Sequence, residues 1–452
     1  EVQDSESSKD EPASSVVQRE TRHGFTVWSP QDSSTSSPTP PPLPIHLPSE
    51  TMLPVRRMAA ALVAGRSSVR NHPPSCGTST AVGRAAPASL VRCRHRTTTT
   101  AAALLPPGSI PRHGLSVTAH PLPQELDDPF ELSKDDIRTL YDEIRQTLTC
   151  HGAGLDQLTN MSRYYFDGQG KAVRPVVVCL MSRAANIHLR NDSSLRAGQR
   201  SLMLIAEMIH TASLLHDDVI DGADTRRGKP STGPIWGQKK SILSGDFVLA
   251  QSAIMLARIG CVRNNNYVSQ ILVDLVSGEF MQLEDKRNFN DRFPHYIEKS
   301  YKKTASLLAY TCKSAVTLAG GDDAMVDAAY QYGRNTGIAF QLIDDVLDFV
   351  ADQSLLGKPA AADLRLGLST GPVLFACEQF PELDELISRR FSRPGDVERA
   401  FELVQKSSGV ARTREVAQAY ANAAVAAIQD WSDSPYKRAL IALTDKILAR
   451  NK

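Results

Sequence analysis

The chain has 452 residues, 51 basic and 50 acidic, and 41% of it is hydrophobic. A net charge of +1 gives no footing for general nucleic-acid binding. Seven cysteines, with no C-x-x-C pair and no His/Cys cluster, argue against a zinc site or a disulfide framework and suit a reducing compartment.

Residues 1–122 hold few large apolar side chains and many Ser, Thr, Pro and Arg. From Thr51 to Gln124 there are nine arginines and no Asp, Glu or Lys. Arg-rich, Ser-rich and acid-free is the composition of a mitochondrial or plastid transit peptide. We expect a disordered leader over 1–122, with the transit segment at about 52–115. Residues 1–50, with scattered acids and the run PTPPPLP, read as lying upstream of a start at Met52 or Met58.

From 123 to 452 the pattern is helical almost throughout. SLRAGQRSLMLIAEMIHTASLLHDDVID (194–221) carries apolar residues on more than one face, which predicts a buried helix. VDAAYQYGRNTGIAFQLIDDVLDFV (326–350) has the same character despite two glycines, and REVAQAYANAAVAAIQDW (414–431) is an Ala-rich amphipathic helix. Strand signals are nearly absent. Breaks fall at GQGKAVRP (168–175), GKPSTGP (228–234), AGGDD (319–323) and LGKPAAADLRLGLSTGP (356–372). No apolar run approaches eighteen residues, so no membrane span is expected. The prediction is all-α, a single-domain helical bundle over 123–452.

Two of these helices carry matched acids. Asp217 and Asp221 lie one turn apart, as do Asp344 and Asp348. Like charges at that spacing destabilise a helix, and burial penalises each carboxylate further. A cation would neutralise them. Carboxylate oxygens without Cys or His nitrogens favour Mg²⁺, or Mn²⁺, over zinc. A solvated acidic face is the competing reading, but two matched clusters in apolar helices fit it poorly. Arg226 and Arg227 follow the first cluster, and Lys171 and Arg174 sit in the glycine-rich turn. These are phosphate-binding side chains, so the pattern suggests two phosphorylated substrates, one on metal and one on cations.

LLHDDVIDGADTRRGKP and AFQLIDDVLDF, with GKAVRP before them and KKTAS between, resemble the trans-prenyl (polyprenyl) diphosphate synthases over about residues 130–452. The resemblance implies a helical bundle of the isoprenoid synthase type. Its first aspartate motif falls on Asp217, Asp218 and Asp221, with Asp217 and Asp221 as Mg²⁺ ligands. The second falls on Asp344, Asp345 and Asp348, with Asp344 and Asp348 completing a cage for three ions and an allylic diphosphate. Arg226 matches a contact to that diphosphate. Lys171, Arg174, His210 and Arg227 match the isopentenyl diphosphate site. Lys303, Thr304 and Gln341 match groups near the ionising carbon, and Lys358 matches a lysine that reaches the allylic diphosphate on closure. In that family the departing diphosphate takes the proton lost at the end, so the resemblance implies that no protein base is required.

The resemblance is closest to long-chain members that make the ubiquinone side chain in mitochondria, which implies decaprenyl diphosphate as product and the matrix as location. Farnesyl or geranylgeranyl diphosphate would be the allylic primer, and a second, divergent synthase subunit the partner. One helical turn rises about 5.4 Å, roughly one isoprene unit. The residues one turn below the metal, Ala212 and Ser213, are small, where short-chain members carry a bulky aromatic floor. A terpene synthase would not need the GKAVRP site, and a scaffolding subunit would not need both acid clusters.

Overall fold

The computed structural model describes residues 127–450, except 151, 153, 169, 284–288 and 351–360. The expected leader and Lys358 lie outside the described residues. The chain divides into units 1–99 and 100–452, and the described residues all belong to the second.

Short helices come first: α1 (Pro129–Arg138), α2 (Leu140–Thr147) and α3 (Asp156–Arg163). Then follow α4 (Val173–Arg190), α5 (Ala197–Ile220), α6 (Thr232–Trp236), α7 (Gln238–Ile259), α8 (Val262–Leu283) and α9 (Phe289–Ser300). A π-helical turn (Tyr301–Ala305) leads into α10 (Ser306–Ala319) and α11 (Asp323–Val350). The remainder is α12 (Ala362–Arg365), α13 (Gly371–Ala376), α14 (Glu382–Ser388), α15 (Asp396–Lys406), α16 (Gly409–Ala427) and α17 (Pro435–Leu448). The expected all-helical architecture is what the chain adopts.

The two long acid-bearing helices are the buried ones. Helix α5 buries Leu202, Met203, Ile205, Met208, Ile209, Ala212 and Leu215 and packs on α4, α7 and α10. Helix α11 lies between α10 and α16. Its two glycines, which look like helix weaknesses in sequence, are close-approach sites. A Cβ on Gly333 would stand 2.4 Å from the Leu308 carbonyl oxygen, and one on Gly337 2.5 Å from the Ala305 Cα. Local ends follow ordinary capping chemistry. Asp128 Oδ1 accepts from the Phe130 N–H at 2.8 Å ahead of Pro129, and Ser434 Oγ from the Lys437 N–H at 3.1 Å ahead of Pro435.

The one β element among the described residues is a minute hairpin after α5, with Thr225 opposite Pro230 and Arg226 opposite Lys229. Arg227 (φ 53) and Gly228 (φ 77) form its two-residue loop, with the left-handed pair that a type I′ turn requires. Arg227 has no glycine-like freedom there, so its left-handed conformation is a strained one.

Candidate active site

The end of α5 sorts its three aspartates by environment. Asp218 is buried and fully partnered: Tyr165 donates to Oδ2 at 2.6 Å and the Arg226 Nε donates to Oδ1 at 2.8 Å. Asp217 and Asp221, on the adjoining face, show no side-chain hydrogen bond or ion pair among the described residues. Burial, and next the Glu279 carboxylate, push Asp217 up to about 6; burial also raises Asp221. Two desolvated carboxylates without donors fit a hard divalent cation. Among the described residues no three His, Cys, Asp or Glu side chains group closely enough to hold an ion unaided. Magnesium typically takes one or two carboxylates and completes its shell with water and substrate phosphate.

The π-turn supplies the next groups. Lys303 is paired with Glu279 of α8 and donates to Gln282 Oε1 at 3.0 Å. Gly278 makes this approach feasible, since a Cβ there would lie 2.7 Å from Lys303 Cγ. Thr304 Oγ1 donates to Gln341 Oε1 at 2.6 Å, and Gln341 Nε2 donates to Asp345 Oδ1 at 2.8 Å. Tyr296 donates to the other Asp345 oxygen. Burial, then the neighbouring Asp363 carboxylate, push Asp345 up to about 8. A continuous relay thus joins the π-turn to the second acid cluster.

That cluster is divided in its allegiances. Asp344 is paired with Arg450 at 2.9 Å, and the Arg450 guanidinium lies 4.5 Å from the Phe340 ring centroid. Asp348 Oδ1 and Oδ2 accept the backbone N–H groups of Ala362 and Asp363 at 3.0 and 3.1 Å.

The cationic side is built from α4, α5 and the hairpin. Ala172 (φ 48) ends the glycine-rich turn in a left-handed conformation and starts α4, which carries Arg174. Arg174 Nε is buried without a hydrogen-bond partner. Burial lowers the Arg174 guanidinium, while the field of Glu207 opposes that. Arg227 reaches the same place: a Cβ on Gly170 would meet its Nη1 at 2.9 Å. Burial and then Arg174, Arg227 and Arg226 drive His210 well below its ordinary value, so its imidazole is neutral. Lys171, three residues before Arg174, is exposed. An unpartnered buried guanidinium nitrogen, a second arginine and a neutral imidazole form a cradle for an anion. On α5, Ala212 is fully buried, and Ser213 Oγ donates to the His210 carbonyl at 2.9 Å.

The fold therefore brings together Asp217, Asp221, Arg226, Lys303, Thr304, Gln341 and Asp345 on one side, and Arg174, His210 and Arg227 on the other. Sequence reasoning missed Glu279, Tyr296, Tyr165, Glu207 and Arg450. None stands in a spaced motif, although Tyr165 belongs to YYFDGQGKAVRP and Glu207 to IAEMIHTASLLHDDVID.

The polyprenyl synthetase family profile matches residues 155–404. The chain is 52% identical over 329 residues to the all trans-polyprenyl-diphosphate synthase PDSS1 of Homo sapiens, covering 73% of this chain and 79% of that one. It is 40% identical over 347 residues to the mitochondrial solanesyl-diphosphate synthase 1 of Oryza sativa, covering 73% and 80%. The crystal structure of a Caulobacter crescentus polyprenyl synthase, complexed with calcium and isoprenyl diphosphate, superposes with a TM-score of 0.64 at 30% identity. That match covers 73% of this chain and all of the other. The match to polyprenyl-diphosphate synthases makes the chain a prenyltransferase, and it belongs to the polyprenyl synthetase family.

Proposed function

We propose that this chain is the catalytic subunit of a long-chain all-trans-polyprenyl diphosphate synthase, condensing isopentenyl diphosphate onto an allylic diphosphate to make the ubiquinone side chain, decaprenyl diphosphate. The observation that carries this reading is the pairing of unpartnered Asp217 and Asp221 with the separate cationic cradle of Arg174, His210 and Arg227.

Asp217 and Asp221, together with Asp344 and Asp348 of the second cluster, would hold Mg²⁺. The bound ions supply Lewis-acid stabilisation of the charge on the departing diphosphate. Arg226, fixed by Asp218, which Tyr165 holds in turn, presents its remaining donors to that diphosphate. Lys303, steered by Glu279, adds a point charge. Thr304 and Gln341, locked to Asp345, hold fixed oxygens beside the ionising carbon. Lys171, Arg174, His210 and Arg227 orient isopentenyl diphosphate so that its double bond faces the cation. The small Ala212 and Ser213 leave the way open for a growing tail.

The catalytic region is assigned to 123–452, behind a mitochondrial leader. The Arg-rich, acid-free composition of 51–124 supports this, as does the mitochondrial relative from rice. A partner subunit is supported by an apolar surface. Helix α7 is the one helix among the described residues long and apolar enough to cross a membrane, yet only 28% of that stretch is buried. It exposes Ile242, Leu243 and Ile254, and neighbouring α8 exposes Val273, Val276, Phe280 and Leu283 at i, i+3, i+4 spacing. Asp246 in α7 suits a protein interface better than lipid.

The test is a product assay on residues 115–452, alone and with a second synthase subunit, using farnesyl diphosphate, labelled isopentenyl diphosphate and Mg²⁺. A long polyprenyl product that vanishes in Asp217→Ala is expected. No incorporation in either arrangement overturns the catalytic assignment, and a short product overturns the role of Ala212 and Ser213.

A further inference from the structure

Tyr296 has no part in the chemistry above, yet its buried hydroxyl ends a chain of hydrogen bonds that reaches the site. The chain passes back and forth between two helical runs. Tyr296 of α9 donates to Asp345 Oδ2 of α11. Gln341, one turn earlier on α11, donates through Nε2 to Asp345 Oδ1 at 2.8 Å. Thr304 of the π-turn then donates to Gln341 Oε1 at 2.6 Å. Both Asp345 oxygens are thus held, so the carboxyl cannot turn about its Cβ–Cγ bond without breaking a contact to Tyr296 or to Gln341. Both ends of the Gln341 amide are held in the same way. The Tyr296 ring is itself fixed. Phe293 lies 5.8 Å from it between centroids, Ser300 Oγ donates to its carbonyl at 2.8 Å, and a Cβ on Gly371 would stand 3.3 Å from its hydroxyl. The direction of the chain matters at its other end. Thr304 gives its hydrogen to Gln341, so it turns lone pairs rather than a proton to the site.

We propose that Tyr296 is a positioning residue, acting through Asp345 and Gln341 to hold the Thr304 oxygen toward the cation left when the allylic diphosphate departs. The inference rests on the placement of Thr304 and Gln341 beside the ionising carbon made above. Lone pairs fixed in that direction stabilise developing positive charge without reorganising as it forms. A freely turning hydroxyl would spend part of its time with the proton inward, where it repels the same charge. Without the Tyr296 hydroxyl, Asp345 Oδ2 loses its donor, the carboxyl can rotate, and Gln341 and Thr304 follow it.

Single-turnover kinetics on the intact enzyme tests this, with farnesyl diphosphate, isopentenyl diphosphate and Mg²⁺, the first condensation being timed by rapid quench. Thr304→Val keeps the shape without the hydroxyl and serves as reference; it should slow that condensation about a hundredfold. Tyr296→Phe, which keeps the ring, should slow it about tenfold, with both substrates' KM and the Mg²⁺ dependence within about twofold of wild type. The double variant decides. If Tyr296 acts through Thr304, Tyr296→Phe should cost no more than about twofold on the Thr304→Val background. Losses that multiply to about a thousandfold overturn the positioning role. So does an unchanged rate in Tyr296→Phe, or a shift in its Mg²⁺ dependence, which would place its effect on the metal ligands instead. If Thr304→Val leaves the condensation unchanged, the placement of Thr304 beside the ionising carbon itself falls. Should Tyr296→Phe fold poorly, Asp345→Asn carries the test. Its amide still offers Tyr296 an acceptor but presents N–H to Gln341, which reverses the chain and turns the Thr304 proton inward. That loss should shrink to about twofold on the Thr304→Val background, and losses that multiply overturn the role.

Discussion

Asp217 and Asp218 are adjacent in sequence and opposite in function. Asp218 stabilises: its side chain is inaccessible and holds Arg226 and Tyr165. Breaking a buried pair by removing one partner leaves an uncompensated charge, so Asp218→Asn should destabilise the protein by about 3 kcal/mol. Asp217 is a desolvated acid without a donor. Asp217→Asn should therefore leave the melting temperature equal or higher in chelator while reducing kcat by about a hundredfold or more. Thermal unfolding beside a turnover assay separates the two variants, and a loss of stability in Asp217→Asn would refute the contrast. The sequence announced that these acids were functional, through their spacing in an apolar helix. It could not announce which one is a ligand and which an anchor. That distinction depends on Tyr165, 53 positions away, and on the hairpin that turns Arg226 back.

At the scale of elements, most helices were legible because their apolar periodicity and caps agree. The glycines of α11 were not, since helix propensity marks them as defects. Their reason is the backbone of α10 at Gly333 and of the π-turn at Gly337, unseen in a local window. Gly333→Ala and Gly337→Ala should each cost about 1–3 kcal/mol in urea unfolding through overpacking, although alanine is the better helix former. A gain in stability would show that the crossing can widen. The π-turn at KKTA was likewise invisible, because an extra residue in a helical turn leaves no mark on composition. The junction between α14 and α15 supplies a pH signature. Arg389 grips Asp396 through two hydrogen bonds of 2.8 Å, and with the Arg393 N–H holds that carboxyl down to about 2. Its folded value is below the unfolded one, so the stabilisation is present above about pH 4 and fades as pH falls toward 2. Thermal unfolding of Asp396→Asn should show wild type ahead at pH 5 and the gap narrowing below pH 4. A constant gap would mean that the contact is purely packing.

For the whole molecule, the all-helical architecture followed from periodicity, but its exposed apolar surface did not. Scanning for unbroken runs overlooks α7, whose apolar residues are interrupted by Ser, Gly and Asp and become a surface only beside α8. Phe280→Glu with Leu243→Glu should abolish assembly with a second subunit, read as a fall to monomer mass by sedimentation, while Asp217→Ala should leave assembly intact. Retention of the complex in the double variant would assign the face to something else. Helix α8 makes these properties separable, because it turns Glu279 inward to Lys303 and Phe280 outward. The same separation has a genetic reading. In a cell with one normal and one altered copy, a chain lacking Asp217 would, in the assembly proposed above, still occupy a partner subunit and poison the complexes it enters, so that allele would act dominantly. A chain altered at Phe280 and Leu243 would be left out of assembly, and the normal copy would carry on: that allele would be recessive.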